Sequence, residues 1–514
     1  MEVKVRTIDL DAGGKNIVIL NKNDAEELGV YPLDRVMLEY KGKATTAIVN
    51  TSEKFVKKGE ILVYNEVKQE LNLRGYAKVN VKRREKLSSK EFIRQKIEGL
   101  QLRKNELESI VNDVVEKKLN DLELAAFITS LYIHGISIEE AAYLSEVIAN
   151  GGEQLRWDKE YVMDKHSLGG VPGDKTTLLV VPIVASANLT IPKTSSRAIT
   201  SPAGTADRAE CIMPVNLSVK EIKKVVEKTN ACIAWGGALN MAPADDLFIR
   251  IEYPLDLDPL FMPSIMAKKK AAGSTHLVLD LPTGSGTKIE NLENAKKIAE
   301  NFLDLGQKLG IKVQCAITFG EEPIGNCIGP ALEAREALMA LKTGKPKDLV
   351  EKACSLAGIL FSMVGKGDKK TAYKILHSGK AEKKFREIIA EQGGDEKIHF
   401  EDIKVGEKTK DFCAECSGVI LSIKNHEIAK TAKIAGAPKD KEAGILLYKK
   451  IGEFVEKGEP LFRIYAKKDE KLREAAEFAT KTNPFVIVSK NKNMVMEILS
   501  KRENSYRKVF TIER

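Results

Sequence analysis

The sequence predicts a multidomain α/β protein: an N-terminal small β-barrel, a helical domain, a central α/β sheet domain and a C-terminal α+β lobe. Three observations predict it. Over residues 1–84, short stretches alternate apolar with polar residues and are cut by Gly, Asn and Asp turns, the pattern of strands. From 85 to 160, apolar residues recur every three or four positions, the pattern of helices. From 161 to 345, apolar segments end in glycine- or hydroxyl-rich loops with helical stretches between them. That is the layout of an α/β sheet whose ligands bind beyond the strand C-termini.

In chain order, VKVRTIDL, NIVIL, RVMLEY, TAIVN, EILVY and YAKVNVK supply the strands of a double-psi-type barrel. The patch NDAEELGV is a helix with Asn23 as N-cap and Gly29 as stop. This unit carries no catalytic constellation, which favours a packing or assembly role. A basic hinge, VKRREKLSSKEF, leads into helices starting at Ser89, and Gly151 and Gly152 close the run LAAFITSLYIHGISIEEAAYLSEVIANGG. His134 falls between two of these helices and reads as an interfacial histidine. Residues 346–514 make a helical connection and then a separate α+β lobe, with GVILSI, GILLYKK and PLFRIYA as strands.

Composition removes several classes. At 43% apolar and 30% charged residues the chain is no disordered polymer. Its longest apolar run, around Leu178 to Ala187, is too short to span a membrane, and MEVKVRTIDLDAGG lacks the layout of a secretory signal. A soluble cytoplasmic protein with no membrane partner is expected. The net charge of +9 comes from 82 basic and 73 acidic residues mixed along the chain. That describes an ion-paired surface more than a nucleic-acid groove, and it suits small phosphorylated substrates. Seven cysteines without framework spacing point to a reducing compartment. The CAEC pair, Cys413 and Cys416, has no second pair to complete a zinc site and reads as structural thiols.

Three stretches carry chemistry. In Lys165-His166-Ser167-Leu168-Gly169-Gly170-Val171-Pro172-Gly173-Asp174-Lys175-Thr176-Thr177 the glycines let backbone approach an anion, and lysine and hydroxyls supply donors. Asp174 would cap the apolar helix that follows. The Gly-Lys-Ser/Thr order of a P-loop is absent, and as composition alone a tight structural turn explains the stretch equally well. The second, Ser195-Ser196-Arg197-Ala198-Ile199-Thr200-Ser201-Pro202-Ala203-Gly204-Thr205, again combines hydroxyls with an arginine, as an oxyanion site would. An exposed polar turn accounts for it taken singly; two such loops after successive strands favour a site. The third runs from Arg250 through Asp256-Leu257-Asp258-Pro259 to Pro263, Ser264 and Lys268, with Pro263 at a first helical position and Gly273 at the end. Ser264 and Lys268 share a helix face at i and i+4 and suit the carbonyls or ring nitrogens of a base, though a lysine-bearing surface helix would look similar.

These elements, in this order, resemble the thymidine and pyrimidine nucleoside phosphorylase family, and most closely its archaeal AMP phosphorylase branch. The family's KHSxGGVGD loop stands here as KHSLGGVPGD with one inserted proline, and its R…S-x-x-x-K base-binding set matches Arg250, Ser264 and Lys268. AAFITSLYIHGISIEEAAYLS, EEPIG…GPALEAREAL and AGILLYKKIGEFVEKGEPLF also resemble family segments, so the likeness spans about 85–514. The N-terminal barrel is an extension that marks the archaeal branch. Nucleoside phosphorylases carry SGRGLGHTGGT where this chain has SSRAITSPAGT. The extra hydroxyls suit a nucleoside 5′-monophosphate, whose second phosphate needs partners of its own.

The resemblance implies a nucleoside phosphorylase class II-like fold and phosphorolysis of AMP to adenine and ribose 1,5-bisphosphate, with CMP and UMP as further candidate substrates. It assigns bound phosphate to Lys165, Ser167, Thr177, Ser195 and Thr205. Gly169, Gly170, Ser196, Arg197, Ala198, Ile199, Thr200, Ser201 and Lys288 would line the nucleotide. Asp258 or, counting the spacing to Ser264 the other way, Asp256 would protonate the departing base. His166 would line the sugar or base, with proton donation as its second role. No metal or organic cofactor is implied; inorganic phosphate is the co-substrate. A homodimer through the helical domain, or a larger homo-oligomer through the barrel, is expected. Three other readings stand beside this one: a pyrimidine nucleoside phosphorylase, an anthranilate-type phosphoribosyltransferase needing magnesium, and an RNA-binding protein.

Overall fold

The computed structural model describes residues 1–74, 77–83, 87–198 and 201–488. They form two compact units, neither contiguous in sequence. The first comprises residues 1–157, 240–273 and 304–311; the second comprises 158–239, 274–303 and the chain from 312 onward. Residues 240–273 and 304–311, which lie within the segment expected as an α/β domain over 161–345, belong to the first unit. Residues 240–273 fold as two helices, Pro243–Leu255 and Phe261–Ala271, that pack on the N-terminal helices. Their apolar faces find partners there: the Phe248 ring lies 6.1 Å from Phe127.

In the first unit six strands close into a barrel, Glu2–Thr7, Ile17–Asn21, Arg35–Tyr40, Lys43–Ser52, Glu60–Val63 and Lys78–Arg83. The first pairs in parallel with the fifth and the second with the fourth, the remaining neighbours antiparallel. Alternation places Val3, Val5, Val18, Leu20, Val36, Leu38, Val49, Val79 and Val81 inside. The short helix Lys22–Leu28 is capped by Asn21, whose side chain accepts from Asn23 N at 3.0 Å, so the cap lies two residues before the one expected. Gly29, at φ 65°, ends it.

The helical part comprises Ser88–Ile97, Lys104–Val115, Asp121–His134 and Ile138–Asn150. Ser89 is the second helical residue, and its hydroxyl donates to buried Asp113 at 2.6 Å. Asn120 and Ser137 each cap a helix with a glutamate three residues on. His134 pairs through Nε2 with Ile97 O at 3.0 Å, an interhelical contact. Gly152 is held against the 240–241 backbone, where a Cβ would meet Met241 O at 2.2 Å.

The second unit is built on parallel strands. His276–Thr283 lies between Met163–Ser167 and Lys312–Phe319, and Ile191–Ser195 pairs with Ala231–Trp235. A parallel bridge between Val162 and Thr190 joins the two groups at their N-terminal ends. The helix Thr176–Ser186 is apolar all round and buried in the largest core, as a helix covered on every side must be. The C-terminal third, expected as an α+β lobe, has a hydrophobic core of its own around Ile420, Ile445 and Phe462 and belongs to this unit. Its strand Gly444–Leu447 pairs antiparallel with Cys327–Ile328 from the central region. Cys413 and Cys416 are exposed free thiols. Among the described residues no helix is long and apolar enough to cross a membrane.

Candidate active site

In the second unit, strand Met163–Ser167 carries Lys165, His166 and Ser167 at its C-terminal end, so these are strand residues and the loop begins at Leu168. The pleat sends Lys165 and Ser167 to one face and His166 to the other. Lys165 is only 2% exposed. Its Nζ donates to Thr176 Oγ1 at 2.8 Å and lies 3.5 Å from Asp174 and 3.9 Å from Asp280. Asp280 also meets Lys352 at 2.9 Å and accepts from the Thr318 hydroxyl at 2.6 Å. Burial pushes the Asp174 carboxyl up, but Lys165, Lys352 and the Thr176 hydroxyl outweigh it and hold the group far below the usual carboxylate range. Asp174 does not occupy the N-cap itself. That position is Lys175, and Asp174 reaches Thr176 N at 3.4 Å and the Thr176 hydroxyl from one residue earlier.

Ser167 Oγ accepts from Gly169 N at 3.3 Å, which turns the chain into the glycine loop. Gly170 has φ 94°, and a Cβ on it would sit 2.6 Å from Lys288 N. Glycine is therefore required for this loop to pack on the turn that carries Lys288, whose side chain is exposed. Thr177 is buried in the first turn of the following helix. Lys175, fully buried, donates to Ile324 O at 2.9 Å and Cys327 O at 2.8 Å and pairs with Glu336 at 2.5 Å. Burial lowers its proton affinity, yet Glu336 and Glu333 hold it above the ordinary lysine value. This residue pins the EEPIG loop beneath the glycine loop.

The second loop follows strand Ile191–Ser195. Its arginine is not an open oxyanion donor. Arg197 makes a bidentate pair with Glu210 at 2.7 and 2.6 Å, lies 3.3 Å from Asp207 and stacks 4.7 Å above Trp235. That pairing, reinforced by Lys441 against the opposing effect of burial, draws the Glu210 carboxyl down to about 2. Asp207 closes the loop: its Oδ2 accepts from Ala198 N at 2.8 Å and Gly204 N at 2.9 Å. A Cβ on Gly204 would meet Ala198 N at 2.5 Å. Beneath, Arg208 pairs with Glu333 and donates to Ala203 O at 2.8 Å and Thr205 Oγ1 at 3.5 Å. Ser195, Ser201 and Thr205 remain half-buried and Ser196 exposed; Ile199 and Thr200 lie outside the described residues.

The buried cations Lys165, Lys175, Lys352 and Arg208 are thus matched by Asp174, Asp280, Glu333 and Glu336. An anion at these strand ends would meet hydroxyls and loop N–H groups set in a rigid, balanced network.

In the first unit, Arg250 is exposed on helix Pro243–Leu255, and Lys268 lies 3.3 Å from Ser264 Oγ and 2.6 Å from Asp245. The i, i+4 pairing of Ser264 and Lys268 is therefore realised. Pro263 is the third helical residue, not the first, still within the turn whose N–H groups have no intrahelical acceptor. Asp256 is the left-handed C-cap of its helix at φ 52°, and Asp258 is exposed in the turn that follows. Between them in role sits Glu252, buried, whose Oε1 accepts from Leu260 N at 3.3 Å. Burial first and then the charge of Asp258 push its carboxyl up to about 7.

Sequence reasoning missed Lys175, Asp207, Arg208, Asp245 and Glu252. Asp207 had a signal, since it stands three residues after Gly204 at capping-box spacing. The others are ordinary charged residues whose burial is a tertiary fact.

Comparison with known proteins matches the same regions. Residues 90–152 match the glycosyl transferase family helical bundle domain, 159–382 its a/b domain, and 419–485 the pyrimidine nucleoside phosphorylase C-terminal domain. The AMP phosphorylase of Thermofilum pendens is 47% identical over 488 residues, 95% of each chain. That of Thermococcus kodakarensis is 48% identical over 494 residues, 95% of this chain and 98% of its own. A solved anthranilate phosphoribosyltransferase from Thermus thermophilus superposes with a TM-score of 0.51 at 16% identity, covering 59% of this chain and 99% of that one, a likeness of fold alone. With near-half identity over almost its whole length, the chain belongs to the AMP phosphorylase family.

Proposed function

We infer that this protein is an enzyme that cleaves AMP with inorganic phosphate, releasing adenine and ribose 1,5-bisphosphate. The observation that carries the reading is the full-length similarity to proteins named AMP phosphorylase. The hydroxyl-bearing second loop, held shut by Asp207, supports a nucleotide over a nucleoside.

In the proposed reaction a phosphate oxygen attacks C1′ as the glycosidic bond breaks, its electron pair leaving with the base. Hydroxyls of Ser167, Thr177, Ser195 and Thr205 hold the phosphate, and Lys165 holds Thr176 and Asp174 in place beneath them. Ser196, Arg197, Ala198, Ser201 and Lys288 line the nucleotide, with Gly169 and Gly170 allowing close approach. Arg250, Ser264 and Lys268 take the base. Asp258 protonates it, with Asp256 as the alternative donor. Orientation and electrostatic stabilisation of the oxocarbenium-like ribose supply most of the acceleration. His166 lines the sugar.

The test is phosphate-dependent base release from AMP, CMP, UMP, adenosine, thymidine and uridine. The reading expects AMP to turn over fastest. Faster turnover of an unphosphorylated nucleoside overturns it.

A further inference from the structure

In the second unit, buried Lys352, Asp280 and Lys165 lead from the helix Lys347–Ser362 to the glycine loop. Lys352 Nζ lies 2.9 Å from Asp280 Oδ2. The same oxygen lies 3.9 Å from Lys165 Nζ, which is 3.5 Å from Asp174 and donates to the Thr176 hydroxyl at 2.8 Å. Thr318 takes the other oxygen of Asp280. Among the described residues Asp280 Oδ2 accepts no hydrogen bond, so the two ammonium charges hold it. The carboxylates near Lys352 in sequence are engaged elsewhere. Asp348 accepts from Gly325 N at 2.8 Å and from Lys450 at 3.2 Å, and Glu351 pairs with Lys369.

We propose that Lys352 is a positioning residue for the phosphate site: by neutralising Asp280 it leaves Lys165 to Thr176 and Asp174, and so fixes the helical turn that carries Thr177. The inference rests on the reading of these strand ends as the phosphate site. Two lysines here serve two carboxylates. With Lys352 gone, Lys165 must serve both. Asp280 is fully buried, and a carboxylate left there without its cation is strongly unfavourable. The nearest remaining ammonium is that of Lys165, which closes its 3.9 Å gap to Asp280 and gives up its hold on Thr176. Thr176 and Thr177 are the first two residues of their helix, so the turn that presents the Thr177 hydroxyl loses its anchor. Lys352 reaches phosphate only through Asp280 and Lys165, so its effect falls on phosphate binding and not on the base.

The experiment titrates inorganic phosphate into the full-length protein and into Lys352→Met, Lys352→Gln and the double variant Lys352→Met/Asp280→Asn. For each it also measures kcat, KM for phosphate, KM for AMP and the unfolding midpoint. Lys352→Gln keeps an N–H donor beside Asp280 without the charge, and serves where Lys352→Met does not fold. In the single variants Kd and KM for phosphate should rise about ten-fold, the worth of one hydrogen bond from a charged donor, while KM for AMP stays within about two-fold. The double variant should bind phosphate within about three-fold of the wild type, because no buried carboxylate is left to draw Lys165 away. Wild-type phosphate affinity in a folded single variant overturns the inference. So does an equal rise in both KM values, a double variant as weak as the singles, or a wild type that binds no phosphate. A wild type that binds phosphate but releases no base from AMP overturns the function reading alone, and the Kd comparison still decides the role of Lys352.

Discussion

Asp207→Asn is the sharpest probe of the second loop. The wild-type carboxylate accepts from Ala198 N and Gly204 N at 2.8 and 2.9 Å and lies 3.3 Å from Arg197. An asparagine can present its oxygen to both N–H groups, but then its NH2 faces the Arg197 guanidinium, donor against donor. The charge that strengthened both bonds is gone in either rotamer. Charge-assisted bonds are roughly twice as strong as neutral ones, so about 1 kcal/mol is lost from each, or about 2 kcal/mol in all. If the closed loop is what receives the 5′-phosphate, AMP must now reorganise it on binding and should bind about 30-fold more weakly. Adenosine, lacking that phosphate, should bind with nearly unchanged affinity. Isothermal titration with AMP and adenosine in parallel, alongside thermal unfolding to confirm the fold, decides the matter. Unchanged AMP affinity, or an equal loss for both ligands, refutes the assignment of this loop to the 5′-phosphate.

Other expectations follow from the same contacts. Lys175→Met leaves Glu336 buried without its cation and two carbonyls without their donor. It should cost about 3–5 kcal/mol of stability, read as a lowered denaturant midpoint. Gly170→Ala forces a Cβ to within 2.6 Å of Lys288 N at φ 94°, so it should reduce kcat/KM for AMP and also cost about 1–3 kcal/mol of stability, read from the unfolding midpoint. Glu252 also sets a pH dependence of stability. Its folded value of about 7 stands above the ordinary 4.5, so the folded state binds its proton more tightly. That contribution is complete below 4.5 and disappears as the pH rises through 7, a loss of up to about 3 kcal/mol. Glu252→Gln should therefore gain stability relative to the wild type at pH 8 but not at pH 4, measured by urea unfolding at both.

Short-range pattern made much of this molecule legible. The barrel strands alternate because one face of each is interior, and Val3 to Val81 fall where that alternation puts them. The Ser264 and Lys268 pair needed only the helical repeat, and the glycine loop after Ser167 needed only residues that tolerate positive φ. Caps slipped by a residue or two, at Asn21 and Lys175, because several polar residues near a helix start compete for the same free N–H groups.

What the sequence by itself determined is the order of elements, the two hydroxyl-rich loops after strands and the family to which they belong. What only the tertiary structure decided is the company each charge keeps. Lys165 and Arg197, both read as ready anion donors, are held by Asp174 and Glu210. The 240–273 helices, contiguous with the sheet region in sequence, fold onto the N-terminal helices instead. Glu252, an unremarked helical glutamate, lies buried beside the turn of Asp258. Periodicity reports which face of an element is buried. It says nothing of which distant residue arrives there, and that arrival sets the charge, the proton affinity and the chemistry.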